Sequence, residues 1–356
     1  MPTEATASLR ESAQPLHELH DLVMMDLDGV VYISKRVIDG VPETIAAVRA
    51  TGIATAFITN NASRTPDSVA AHLTKLGVPA QSTDVVTSAQ AAARVLRERF
   101  GEGASIVFLG AEGLRTALLA EGLVPVTPDD ETAVALSTGY GPDVVWRDIM
   151  RVAVRVREGL PWVASNTDGS IPTDFGVAPG HGVFVKMLHD FSGAVPVVAG
   201  KPERPLFTET LRRLGGERPL MVGDRLDTDI LGAHRAGLPS LLVLTGVSGV
   251  ADLVTAPPDH RPTYLYPDLT GLLRPHRAPS RHAEGWRSGR WLAEVTASGT
   301  LQLSTAHPLE GDASDDRADW WRAMCAAAWA HLDAAGTPVD SAGLAPPTPR
   351  RRGAER

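Results

Sequence analysis

Cysteine is nearly absent from this chain: its 356 residues include one, at position 325. An internal disulfide is therefore excluded, and so is a zinc site built on several thiolates. Basic residues are also in deficit, with 34 Lys and Arg against 42 Asp and Glu, for a net charge of −8. That balance argues against a dedicated nucleic-acid binder, although it leaves local anion binding open. Every apolar run is broken by charge, Pro or Gly well short of the roughly 18 residues of a membrane span, so no membrane contact is expected. The opening stretch, MPTEATASLRESAQPLHELH, has no apolar signal-peptide core and reads as a loose arm over residues 1–20. No repeat of fixed period is found. Together these absences point to a cytoplasmic protein. What is present, 43% hydrophobic and 21% charged residues, is the balance of a globular chain, and its length predicts two or three domains.

From Asp21 onward short apolar runs alternate with helical patterns, the signature of βαβ units and a parallel sheet. LVMM (22–25) stops at Asp26, and a helix from about Pro42 follows, closed by Gly52. IATAFI (53–58) runs into Thr59-Asn60-Asn61, and Val69, Leu73 and Leu76 mark the next helix. The same grammar returns with VPVVA (195–199) before Gly200-Lys201-Pro202, PLMV (219–222) before Gly223-Asp224, SLLVL (240–244), and TYLY (263–266) as an edge strand. Four strands thus end at an Asp, a Thr, a Lys and an Asp. The carboxyl ends of strands form the ligand crevice of an open α/β sheet, so these residues are expected to meet there.

Between them SIVFLG (105–110), AVALST (133–138) and WVAS (162–165) read as strands of a second α/β domain inserted into the first. RPHRAPSRHAEG (274–285) has linker composition. WLAEV and TLQLS beyond it flank a Ser298-Gly299 turn as a hairpin, and a helix over 317–332 lines up Trp321, Cys325, Ala328, Trp329 and Leu332. Five of the seven tryptophans fall after residue 285, which predicts a small aromatic-cored domain there, with ligand stacking as the alternative. The end, GLAPPTPRRRGAER, reads as a disordered tail.

Taken one at a time, the candidate chemistry has structural alternatives. Asp26 and Asp28 lie two apart at a strand end, so both carboxylates face the same way. Like charges so close are costly unless a cation sits between them or one is protonated. An EF-hand calcium loop is excluded, because Gly29 and Val30 follow directly where a further Asp or Asn is needed. With Asp224 as a third carboxylate, the set suits Mg²⁺, which keeps several waters and takes one or two protein carboxylates. Lys201 is either an exposed turn residue or the cation that organises an anionic site. Thr59 and Asn60 either cap a helix or cradle phosphate with hydroxyl and backbone N–H groups. Asp229 either caps the following helix or supports the metal site through hydrogen bonds. No G-x-G-x-x-G follows the first strand, which disfavours a dinucleotide-binding oxidoreductase.

In their order, DLDGVVY, TNN, GKP and GDRLDTD resemble the four motifs of the haloacid dehalogenase superfamily of phosphohydrolases. The insert, with NTD (166–168) inside it, looks like the NagD-type branch with an α/β cap, and the whole chain is similar to the actinobacterial glycerol 3-phosphate phosphatases. The resemblance implies a Rossmann-like, doubly wound parallel sheet over 21–88 plus 194–275. It implies a cap over 89–193, a small C-terminal α+β extension over 281–335 and a tail over 336–356. It further implies that Asp26 is the nucleophile of an aspartyl-phosphate mechanism and that Asp28 is the general acid and base. Asp26, the backbone carbonyl of Asp28, and Asp224 would hold Mg²⁺, with Asp229 behind them. Thr59, Asn60, Asn61 and Lys201 would bind phosphate. In the cap, Asn166, Asp168 and G-H-G (180–182) either build turns or read the substrate. The implied partner is a small phosphorylated metabolite, with glycerol 3-phosphate favoured over 2-phosphoglycolate, pyridoxal phosphate or a nucleotide monophosphate. The implied assembly is a monomer or homodimer. A receiver-type phosphotransfer switch, which also uses an Asp, a Thr and a Lys, is the alternative of another class; a decayed, non-catalytic metabolite-binding site is a further one.

Overall fold

The computed structural model describes residues 9–347 apart from 174, 284, 306–307 and 309–311. The ends of the expected arm (1–8) and tail (348–356, with its Arg run) lie outside the described residues. The chain divides into two compact units, Met1–Ala54 with Glu217–Arg356, and Thr55–Gly216. No helix among the described residues is long and apolar enough to cross a membrane.

The first unit is built on four parallel strands. Leu22–Met25 pairs residue for residue with Pro219–Val222, Met221–Gly223 pairs with Ser240–Leu242, and Leu241–Val243 pairs with Tyr264–Tyr266. All four residues of LVMM are buried, as are the five of Pro219–Gly223. Strands covered on both faces read as unbroken apolar runs, which is why these were visible in sequence. The helix Val41–Ala50 starts where Gly40 turns at φ 79°, with Pro42 in its first turn.

The C-terminal extension has the expected elements but not a core of its own. Four antiparallel strands, Ser280–His282, Gly285–Ser288, Trp291–Val295 and Leu301–Thr305, precede the helix Ala313–Ala335. The WLAEV/TLQLS hairpin is among them. Trp320, Trp321, Met324, Cys325 and Trp329 pack in one cluster with Leu226, Ile230, Leu242, Leu253 and Leu265 of the parallel-sheet region. The single stripe expected on this helix is too narrow, because residues 318–329 are buried all round, as on a helix covered from more than one side. Polar contacts pin the same contact surface. Trp329 Nε1 donates to Leu253 O at 2.8 Å, and Arg261, stacked over Trp329, forks onto Asp333 at 2.6 and 2.7 Å.

Three segments expected to be loose are placed, the first being the start of the tail, where Val339 is buried and Asp340 exchanges backbone hydrogen bonds with Gly299 and Leu301, each at 2.9 Å. In the arm Leu9 and Leu16 are buried, and Ser12 exchanges backbone hydrogen bonds with His276. His276 lies in the expected linker, where it is 2% exposed and accepts from Arg322. Apolar anchors at Leu9 and Leu16 outweigh the polar composition around them.

The second unit carries a five-stranded parallel sheet in the order Val197–Val198, Trp162–Ala164, Ala135–Thr138, Ser105–Leu109, Val124–Val126. It also holds the pairing of Phe57–Thr59 with Val85–Thr87. One expectation is corrected here. The strand before Lys201 pairs with Val163–Ala164 and so belongs to the inserted sheet, not to the sheet that ends at Asp26 and Asp224. A two-residue strand carries no pattern that reveals its partner, and pairing across a sheet is non-local.

If the extension shares the core, Trp329→Ala is expected to lower the unfolding free energy by about 3–5 kcal/mol in chemical denaturation, as for a deleted core aromatic. The whole first unit should then unfold in one earlier transition, whereas an independent domain would melt alone.

Candidate active site

The first unit gathers carboxylates. Asp26 leaves the strand Leu22–Met25 with its N–H donating to Val222 O at 2.9 Å, which sets it beside the end of the strand that carries Asp224. Oxygens of Asp26, Asp224 and Asp229 lie within 4.8 Å of one another. Asp224 is 1% exposed and Asp229 0%. Asp28 is exposed, and its carboxylate lies outside this group.

Backbone N–H groups hold the carboxylates in place. Asp224 Oδ2 accepts from Val247 N at 2.7 Å, and Asp229 Oδ2 accepts from the N–H groups of Asp224 and Arg225, each at 3.1 Å. Asp229 therefore braces the loop that carries Asp224 as well as facing it. Helix capping alone does not describe that role. Three glycines make room. A Cβ on Gly29, where φ is 82°, or on Gly246 would overlap Asp224 Oδ2, and one on Gly223 would overlap Asp229. Thr245 Oγ1 donates to Gly29 O at 2.5 Å, tying the two sides of the cradle. Thr245, Gly246 and Val247 close the run LPSLLVLTGV, which shares in the family resemblance but has no site role assigned from sequence. The signal was there, since TGV follows an apolar strand as the Asp-bearing loops do. A set of hard carboxylate oxygens so disposed fits a divalent cation such as Mg²⁺.

The second unit gathers the other candidates. Lys201 is 2% exposed, so it is not a solvent-facing turn residue. Its backbone is clamped by the Asn60 carboxamide: Lys201 N donates to Asn60 Oδ1 at 2.7 Å, and Asn60 Nδ2 donates to Lys201 O at 2.9 Å. The same Nδ2 reaches Asp168 Oδ1 at 3.0 Å. Gly200 permits this approach, since a Cβ there would lie 2.5 Å from Asn60 Oδ1. Asn166 Nδ2 donates to Asn60 O at 2.7 Å, Ser88 Oγ donates to the same oxygen at 2.6 Å, and Asn166 Oδ1 accepts from Asp168 N at 3.1 Å.

Thr59 and Asn60 do not cap a helix. The helix Pro66–Lys75 is capped by Thr65, whose Oγ1 accepts from Ser68 N at 3.2 Å. Thr59 Oγ1 accepts from Asn61 N at 3.1 Å, and Asn61 Oδ1 accepts from Ser63 N at 2.9 Å. The two asparagine side chains are thus engaged in holding loops, a use that residue type alone did not reveal. Asn60, Asn166, Asp168 and Lys201 are joined in one polar network of the second unit, and Thr59 bonds to Asn61 beside it.

Comparison with known proteins agrees with this geometry. The family model described as haloacid dehalogenase-like hydrolase matches residues 23–124, and a second, HAD-hydrolase-like, matches 198–272. The D-glycerol 3-phosphate phosphatase of Mycobacterium tuberculosis is 39% identical over 310 residues, 87% of this chain and 86% of that one. An acid sugar phosphatase of Staphylococcus aureus is 34% identical over 69% of this chain and 94% of its own. The crystal structure of glycerol phosphate phosphatase from Mycobacterium tuberculosis in complex with magnesium matches with a TM-score of 0.80 at 38% identity, covering 89% of this chain and 92% of that one. The chain belongs to the haloacid dehalogenase-like hydrolases. Within them it is an enzyme of the phosphatase kind, and the receiver-type reading falls.

The glycine cradle yields a direct test. Gly246→Ala displaces Asp224 without altering a ligand, so Mg²⁺ affinity measured by calorimetry is expected to fall about tenfold or more, the equivalent of roughly 1.4 kcal/mol. Asp224→Asn is expected to remove binding in the same titration, and unchanged affinity in both variants would separate this cluster from the metal.

Proposed function

We propose that this protein hydrolyses small phosphate monoesters, glycerol 3-phosphate among them, through a phospho-enzyme formed on Asp26. The observation that carries the reading is the convergence of Asp26, Asp224 and Asp229 at neighbouring strand ends. A carboxylate with an ordinary pKa near 3.9 is ionised at neutral pH and needs no base to attack phosphorus. In the first step an Asp26 oxygen bonds to phosphorus while the bond to the ester oxygen breaks. Asp28, exposed and two residues on, gives its proton to the leaving alkoxide. In the second step Asp28 takes a proton from water, whose oxygen attacks phosphorus. The Asp26–phosphorus bond then breaks, releasing inorganic phosphate and restoring both carboxyl groups.

A dianionic ester and an ionised Asp26 repel each other, so positive charge must be supplied where they meet. Asp26, the Asp28 carbonyl and Asp224 are the proposed holders of Mg²⁺, with Asp229 behind them; when bound, the ion neutralises phosphoryl charge as a Lewis acid. Lys201 supplies a fixed cation, and Thr59 donates its hydroxyl proton to a phosphoryl oxygen. With the Asn60 carboxamide committed, Asn60 and Asn61 contribute through their loop backbone.

Asn166 and Asp168 sit on a loop of the inserted region, where substrate reading is assigned. The D-glycerol 3-phosphate phosphatase relative is matched over 87% of this chain, beyond the catalytic motifs alone, which ranks that ester first. Acid sugar phosphates, 2-phosphoglycolate, pyridoxal phosphate and nucleotide monophosphates are the competing substrates. The proposed setting is the cytoplasm, with no nucleic-acid or membrane partner, as a monomer or homodimer.

Purified protein with Mg²⁺ is expected to release inorganic phosphate from a panel of such esters, most rapidly from glycerol 3-phosphate. EDTA should stop the release, and Asp26→Asn should lower turnover by at least about 10³-fold, the loss seen when a catalytic nucleophile is removed. Turnover that survives Asp26→Asn overturns the mechanism. A ranking with glycerol 3-phosphate near the bottom overturns the substrate alone.

A further inference from the structure

The mechanism above leaves one buried histidine of the second unit unused. His181 opens the helix His181–Ser192 and is 4% exposed. Its Nδ1 lies 2.8 Å from the carbonyl oxygen of Asn166. A carbonyl only accepts, so Nδ1 carries the proton and donates. Burial strips water from the ring and lowers its pKa to about 4, which keeps it neutral in that tautomer. The ring stacks on Phe184, with centroids 5.8 Å apart and planes 18° apart, so its orientation is set. The other nitrogen, Nε2, is buried with no hydrogen-bond partner among the described residues. An unsatisfied buried acceptor is destabilising, because it has given up its water and gained no donor. A leucine of similar size would carry no such cost.

What the Nδ1 proton holds is the start of a continuous chain. Gly182 N donates to Asp168 O at 2.8 Å, and a Cβ on Gly180 or Gly182 would overlap the backbone of 167–168. The helix start is therefore pressed against the Asn166–Asp168 loop. Asn166 bonds to Asn60 O, and the Asn60 carboxamide holds both backbone polar groups of Lys201 and one oxygen of Asp168.

We propose that His181 is a positioning residue: its Nδ1–H···O bond to Asn166 fixes the 166–168 loop and, through Asn60, the backbone from which Lys201 presents its charge. His181 itself contacts neither substrate nor metal. The inference rests on the phosphatase reading for the role of Lys201, but the hydrogen-bonded chain does not.

The two ring nitrogens can be separated by substitution, because an Asn amide nitrogen falls near Nδ1 and a Gln amide nitrogen near Nε2. His181→Asn, His181→Gln and His181→Leu are compared by amide hydrogen exchange at Asp168, Gly182 and Lys201, and by kcat and KM on the best ester. His181→Leu and His181→Gln are expected to speed exchange at Asp168 and Lys201 about tenfold, the effect of one lost hydrogen bond, and to lower kcat with little change in KM. His181→Asn should restore both. Rescue by Gln in place of Asn would overturn the proposal, since it would place the function on Nε2, and so would unchanged exchange in all three variants. Should the leucine variant fail to fold, the Asn and Gln pair still decides. If the exchange pattern appears as expected while wild-type protein releases no phosphate from any ester, the loop positioning stands and the phosphatase reading fails.

Discussion

Three carboxylates whose oxygens lie within 4.8 Å of one another repel, and two of them are almost wholly shielded from water. Much of the first unit makes sense as the means of tolerating that repulsion. Parallel strands bring Asp26 and Asp224 to neighbouring strand ends, because the register is locked with Met25 opposite Val222. Backbone N–H groups from Val247, Asp224 and Arg225 supply partial positive charge to the oxygens. Glycines at 29, 223 and 246 remove the side chains that would hold the carboxylates apart. What remains uncompensated is the invitation to a cation, and a phosphatase acts on a substrate that is itself anionic.

The second unit solves the converse problem, a buried ammonium. Burying a charge is expensive unless it is surrounded by polar groups with fixed positions. Here the Asn60 carboxamide engages both its oxygen and its NH₂ group with the backbone of the lysine turn and with Asp168, and Asn166 and Ser88 both hold the Asn60 backbone carbonyl. Such a network rigidifies when fully satisfied, which suits a cation that must act from one place. The asparagines of TNN and NTD are thus structural members of a chemical site. That blurs the choice between turn-building and function that sequence reading posed for them.

The candidate site residues were legible in sequence where strand and chemistry coincided. LVMM and PLMV are buried on both faces, so each reads as an apolar run that ends sharply at an aspartate. The joint order of four motifs then carried the family. Less was legible where placement depends on distant partners. Val197–Val198 joins the inserted sheet through a pairing with Val163–Ala164 that no local pattern announces. The tryptophan-rich helix looked like one side of a small domain because its second buried face meets residues such as Leu242 and Leu265, far earlier in the chain. The arm was called loose on composition, yet two leucines and a backbone exchange with His276 suffice to seat it. Gly246 had no site role assigned from sequence because its importance lies in an atom it lacks.

The way the chain is threaded has a consequence for its synthesis. The second unit is a single uninterrupted stretch, Thr55–Gly216, whereas the first is assembled from both ends of the polypeptide. As the chain emerges from the ribosome, the inserted stretch has all its partners early. The strand Leu22–Met25, made first, must wait for Pro219–Gly223, and the shared hydrophobic cluster waits longer still, for the helix Ala313–Ala335. Until Pro219–Gly223 is made, the edge of the strand that faces it lacks its partner, as non-local parallel pairing always risks. The tryptophan-rich extension is in this sense the last stone of the arch: the half that gathers the three carboxylates is completed only after the stretch it encloses.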